Sequence, residues 1–117
     1  MGMSFPKPDE ASKAWFTSLV PDDPRATIRP MFGNSAAFVN GNMFLALFGR
    51  NVAVRLADDD RQELLRHRGA SVFEPMAGRP MKEYVTLPEA WRTQPKKAAA
   101  WVERSFAWAS ALPQKKK

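Results

Sequence analysis

Cysteine is absent from the chain, so neither a disulfide framework nor a thiolate metal site can be built. Histidine occurs once, at His67, and any imidazole-based metal cluster or Ser-His-Asp arrangement would have to be assembled around that single ring. No apolar run approaches the ~18 residues that cross a bilayer, and the stretch from Met1 to Lys13 lacks the basic start and apolar middle of a secretory signal. A soluble, unprocessed, cytoplasmic protein without a membrane partner is expected. No serine stands in a Gly-x-Ser-x-Gly setting, and no glycine-rich loop ends in Gly-Lys-Ser or Gly-Lys-Thr. The charge bias is small as well. Of the formal net charge of +6, half comes from Lys115, Lys116 and Lys117, too little over the remaining body to point to nucleic acid by itself.

Against these absences stand an apolar fraction of 44% with eight Phe and four Trp. That is enough for one core in a chain of 117 residues, and no linker or internal repeat divides the chain. Asp9 is placed to cap a helix whose apolar side is Ala11, Trp15, Phe16, Leu19 and Val20, at helical spacing. Pro21 and Pro24 end it. Thr27 to Phe32 follows as a strand restricted to an edge or an irregular start by Pro30, which has no amide hydrogen to donate.

The segment MFGNSAAFVNGNMFLALFG, Met31 to Gly49, carries the strongest short-range signal. Asn40-Gly41 between apolar runs predicts a two-residue hairpin turn, because both residues tolerate positive φ. Such a turn pairs Val39 with Asn42 and Phe38 with Met43. A second reversal at Gly49-Arg50 or Arg50-Asn51 leads into Val52, Val54 and Leu56. Uninterrupted alternation then places Ala36, Phe38, Met43, Leu45, Leu47, Val52, Val54 and Leu56 on one face. The opposite face collects Ala37, Val39, Phe44, Ala46, Phe48, Ala53 and Arg55, apolar enough to call for a cover of its own. The glycines therefore serve turns rather than a phosphate cradle.

Asp58, Asp59 and Asp60 open a helix that runs to Arg66, His67 and Arg68 and stops at Gly69, with charges matched to its dipole. Capping accounts for the three aspartates better than a cation site, since calcium loops space their ligands at alternate positions. Ala70 to Pro75 and Lys82 to Leu87 read as two further strands joined by MAGRP. Pro88 to Trp91 makes a short turn or helix. Lys96 to Leu112 is the longest helix, its stripe formed by Ala98, Trp101, Ser105, Trp108 and Leu112 and widened by Val102, Phe106 and Ala109. Packing of that stripe on the sheet is expected, with a basic tail over residues 113–117.

Chemistry is sparse in this inventory. His67, between two arginines at a helix end, suits an exposed cation. Glu74 and Glu83 are the only carboxylates on adjoining predicted strands, and pairing with Arg79 or Lys82 explains them without catalysis. Tyr84 reads as a half-buried strand residue. The arginines are scattered among acids, and the best basic patch joins Arg61, Arg66 and Arg68 to Lys115, Lys116 and Lys117.

The string TIRPMFG, then an Asn-Gly hairpin, NMFLALFG, a strand, an acidic-started helix and a closing Trp-bearing helix together resemble the N-terminal domain of the TfoX/Sxy family. Members carry a Met-Phe-Gly near the first strand, as Met31, Phe32 and Gly33 do here. The likeness in element order runs from about Asp9 to Leu112. Where the family often has a second glycine after Met-Phe-Gly, this chain has Asn34. The resemblance implies an α+β domain with an antiparallel sheet flanked by helices. It also implies a context of natural-competence regulation, in which this domain is joined to a C-terminal one that the present chain does not include.

Residues and resemblance together lead to one expectation. The chain is a single α+β domain over residues 1–117, ordered from about 9 to 112, with a sheet of consecutive hairpins flanked by an N-terminal, a middle and a long C-terminal helix. It is expected to be non-enzymatic, without catalytic, cofactor or metal residues. It would act through a protein partner or a second copy, with Phe44, Phe48, Trp101 and Trp108 as candidate contacts. The alternative is a nucleic-acid accessory protein using Arg61, Arg66, Arg68 and Lys115 to Lys117.

Overall fold

The computed structural model describes residues 7–31, 33–76 and 78–114. Among them the chain forms α1 (Glu10–Leu19), β1 (Thr27–Met31), β2 (Asn34–Val39), β3 (Asn42–Phe48), β4 (Asn51–Arg55), α2 (Asp58–Leu65), β5 (Ser71–Met76), β6 (Arg79–Thr86), a short 3-10 helix (Glu89–Thr93) and α3 (Pro95–Ser110). The strands make one antiparallel sheet in the order β1-β2-β3-β4-β6-β5. The α+β class and the consecutive hairpins are as the sequence predicts. No helix among the described residues is long and apolar enough to cross a membrane.

Local chemistry accounts for the elements. The Asp9 carboxylate accepts the Ser12 amide at 2.8 Å and caps α1. Ala11 is nevertheless exposed and Ser12 fully buried, so the inner face of α1 is turned from the predicted stripe. Its hydroxyl compensates by accepting a 2.7 Å hydrogen bond from Arg92. Asn40 and Gly41 adopt φ of 52° and 76°, as a two-residue turn of that type requires. The turn also holds a helix end: Asn40 donates to the Ser110 carbonyl, which the end of α3 leaves without a helical partner, and Asn42 to that of Pro113 just beyond the helix, each at 3.1 Å.

Two boundaries differ from expectation. Ala57, not an aspartate, is the N-cap of α2, so Asp58, Asp59 and Asp60 lie in the first turn and act on the helix dipole instead of capping through side chains. The helix ends at Leu65, leaving His67 beyond it, its ring edge-on to Trp91 at 5.3 Å and Trp101 at 6.0 Å.

The larger difference lies in the middle hairpin. Val39 pairs with Asn42 and Phe38 with Met43 as predicted, but the next pair is Ala37 with Leu45, and Phe44 is skipped. One unpaired residue makes a β-bulge, and because side chains alternate with period two it reverses parity on one side of the break. Ala37, Val39 and Phe44 therefore join Leu45, Leu47, Val52, Val54 and Leu56 in the main core, where Trp15, Phe16, Leu64, Trp91, Trp101 and Val102 arrive from the helices. Ala36, Phe38 and Met43 go to the opposite face, and the single apolar face expected for them with Leu45 and Val54 does not exist. The bulge is held from the helix layer: the buried Ser105 hydroxyl donates to the Phe44 carbonyl at 2.9 Å, and the Phe44 ring meets Phe106 edge-on at 5.2 Å.

Candidate interaction face

All three helices and the 3-10 helix contribute to one core cluster, whereas the second cluster consists of strand residues alone: Phe48, Ala53, Phe73 and Tyr84, with Met43 and Met81 against it. The sheet thus has a helix-covered face and a face without a helix. Across the latter runs a rung of small residues in register, Ala36 with Ala46, Ala46 with Ala53 and Ala53 with Thr86. The three alanines are fully buried although no helix lies over them. The sheet covers them itself. Strands β3 and β5 sit three positions apart, about 14 Å in a flat sheet, yet the rings of Phe48 and Phe73 approach to 5.8 Å between centroids. The sheet therefore coils strongly, beyond the ordinary twist, and β5 leans back over this face.

Coiling leaves two hollows along the sheet. One, of about 330 Å³, takes its apolar lining from Met31, Phe38, Met43, Met81 and Tyr84, on β1, β2, β3 and β6. Asn42, Arg55 and Glu83 complete it. Arg55 Nε donates to Glu83 at 2.8 Å, and its guanidinium lies 5.4 Å from the Trp108 ring and 6.0 Å from that of Tyr84. The Tyr84 hydroxyl donates to the Met43 carbonyl at 3.1 Å, and burial, with Glu83 adding and Arg55 opposing, pushes its pKa up to about 12. The second hollow is an open groove of about 980 Å³ beside the outer strand β5, with Phe48, Phe73 and Leu87 against Asn51, Arg68 and Glu89. Val72 on β5 and Ile28 on β1, 41% and 50% exposed, are the large apolar residues left open at the two sheet edges.

A polar latch closes the far end of the helix layer. Arg50, in the β3–β4 turn, bridges Asp9 at 3.0 Å and Glu89 at 2.6 Å, while Arg92 donates to the Arg50 carbonyl at 2.8 Å and stacks 4.9 Å from Trp15. Hydrogen bonding from Ser12, helped by Arg50 and Arg92, holds the Asp9 carboxyl below its usual range, and Arg50 does the same for Glu89. Each of the charged residues has a structural partner, while Nε of Arg92 and Nε1 of Trp15 are buried without one. No group of three or more acidic, His or Cys residues arranged to hold a metal occurs among the described residues.

The candidates chosen from sequence are dispersed by this geometry. Phe44 is fully buried under α3 and Trp101 is buried beside Arg104, so neither presents a contact surface. Phe48 is buried at the edge of the second cluster, and Trp108 is half-buried beside Arg55. Arg61 is occupied with the Leu56 carbonyl and Asp58. Arg66 and Arg68 are exposed, and Lys115, Lys116 and Lys117 lie outside the described residues. Glu74 and Glu83 do not meet: Glu74 accepts the Gly78 amide at 2.6 Å and Glu83 takes Arg55 in place of Arg79 or Lys82.

Sequence reasoning missed the hollow because its apolar walls, Met31, Phe38, Met43 and Met81, come together only through the bulge and the coiling. It also missed Asn34, whose side-chain oxygen accepts the Gly49 amide at 2.8 Å and ties two turns together. An Asn directly after the turn glycine was the available signal.

Fold and face define a small two-layer α+β module, helices on one side of a coiled antiparallel sheet, open on the other. A family model for the TfoX N-terminal domain matches residues 19–109, and the chain belongs to that family. The match begins at Leu19, so most of α1 precedes it, although Trp15 and Phe16 are integral to the core. No curated protein and no solved structure matches the chain.

Proposed function

We propose that the chain is a non-enzymatic regulatory module that acts in the cytoplasm by presenting the helix-free face of its sheet to a protein partner. The context would be the transcriptional or competence control after which its family is named. One observation carries this reading: the part-exposed side chains of Met31, Phe38, Met43 and Met81 converge on a single hollow of the face that no helix covers. Elsewhere part-buried apolar side chains such as Leu65, Phe106 and Leu112 lie against the main core. Converging apolar surface on an open face is what partner recognition uses.

The test is capture of partners by tagged protein from extracts of its own cells, with and without nuclease, comparing wild type with Phe38→Glu. A protein retained after nuclease and lost with the variant is the expected result. Capture that vanishes with nuclease, or that the variant leaves unchanged, contradicts the reading.

A further inference from the structure

We propose that a second copy of this chain pairs with the outer strand β5, antiparallel about a two-fold axis at Val72, so that two sheets join edge to edge. The inference concerns a sheet edge and stands apart from the reading of the helix-free face. Backbone direction is the first argument. Leu87 N–H donates to the Val52 carbonyl at 2.8 Å and Leu56 N–H to that of Glu83 at 3.0 Å, so Leu87, Val85 and Glu83 turn their peptide groups toward β4. Thr86, between them, turns its own toward β5, where its register partner is Ser71. Val72, the next residue, therefore turns its N–H and C=O away from the sheet. Its side chain is exposed as well. An open, uncharged edge of this kind is a template for another strand.

The opposite edge is blunted: β1 carries Arg29 and Pro30, and proline has no N–H to give. One open edge and one blunted edge favour a closed pair over a filament. Charge then identifies the occupant. Arg68 precedes Val72 and Glu74 follows it, and both line the groove beside β5. Neither has an ion pair of its own among the described residues, the Glu74 carboxylate accepting only the Gly78 amide. Antiparallel self-pairing at Val72 brings Glu74 of each copy to Ala70 of the other, beside the turn that carries Arg68 and within reach of its long side chain. The axis repeats that contact at the other end. A second copy brings the matching charges at that spacing of necessity, which a foreign strand does not.

The experiment is sedimentation velocity on the full chain, from about 1 µM to about 1 mM. A concentration-dependent equilibrium between monomer and dimer is expected within that range, as suits a small interface. Val72→Lys, which plants a charge on an exposed side chain at the pairing edge, removes the dimer. Arg68→Glu and Glu74→Arg each weaken it by about three- to ten-fold, and the double exchange restores it, because the two charges only trade places. That rescue decides the matter even where Val72→Lys impairs folding. A monomer at every concentration, a dimer indifferent to Val72→Lys in a folded chain, or a double exchange that restores nothing overturns the inference.

Discussion

The two faces of the sheet are built from similar residues and closed by different means. On one, Phe44, Leu45 and Val54 are sealed by α1, α3 and the 3-10 helix, and the large apolar residues left open, Ile28 and Val72, stand only on the outermost strands, paired with the buried Ala37 and Val85. On the other, Phe48, Phe73 and Tyr84 bury one another by coiling the strands, which cannot fill the space as closely and leaves the hollow. Covering a face with helices gives stability; covering it with its own curvature gives partial burial and an opening. The switch between the two is a single unpaired residue, Phe44.

The contrast breaks most severely at that residue. Truncating a fully buried Phe leaves a cavity the helix layer cannot collapse into, so Phe44→Ala is expected to cost about 3–5 kcal/mol in urea denaturation. Phe38→Ala, on a part-exposed ring of the other face, should cost about 1 kcal/mol. Equal losses would mean that the faces are not differently sealed. Next in size is Ser105→Ala, which takes away the hydroxyl that reaches the Phe44 carbonyl in the buried layer, with an expected loss of about 1–3 kcal/mol. A neutral result would show that the bulge holds without the helix.

Tyr84 sharpens the comparison from the open side. Its folded pKa of about 12 lies above the ordinary value near 10, so the unfolded chain loses this proton first. Stability contributed by Tyr84 is complete below about pH 10 and is lost as pH rises toward about 12. Thermal melts should show that decline in wild type and less of it in Tyr84→Phe. The smallest effect belongs to the latch. Asp9 and Glu89 have lowered pKa values, so their contribution is present above the ordinary range near about 4 and lost as pH falls through the lowered values. Arg50→Gln should flatten the melting-temperature profile between about pH 5 and 3; an unchanged profile would show the latch to be energetically silent, as exposed ion pairs often are.

Much of this was legible from local chemistry. Asp9, Asn40-Gly41, the prolines and the Trp-bearing stripe each act within a few residues, and the elements they imply are present. The faces were not legible, because their assignment depends on an unbroken count along β3. Phe44 sits in a bulge with no glycine or proline to mark it; its partners, Ser105 and Phe106, lie some sixty residues away. The hollow was hidden for the same reason. Long-range coiling brings Met31 and Met81 beside Met43, and alternation within any one strand carries no trace of it.

The decisive measurement is the pattern of nuclear Overhauser contacts around the middle hairpin. Protons of Phe38 and Met43 should contact Tyr84 and Met81, while the Phe44 ring contacts Phe106 and the Ser105 methylene. Contacts from Phe38 or Met43 to Leu45, Trp101 or Phe106 would restore regular alternation, bury the proposed working surface under α3 and contradict the account.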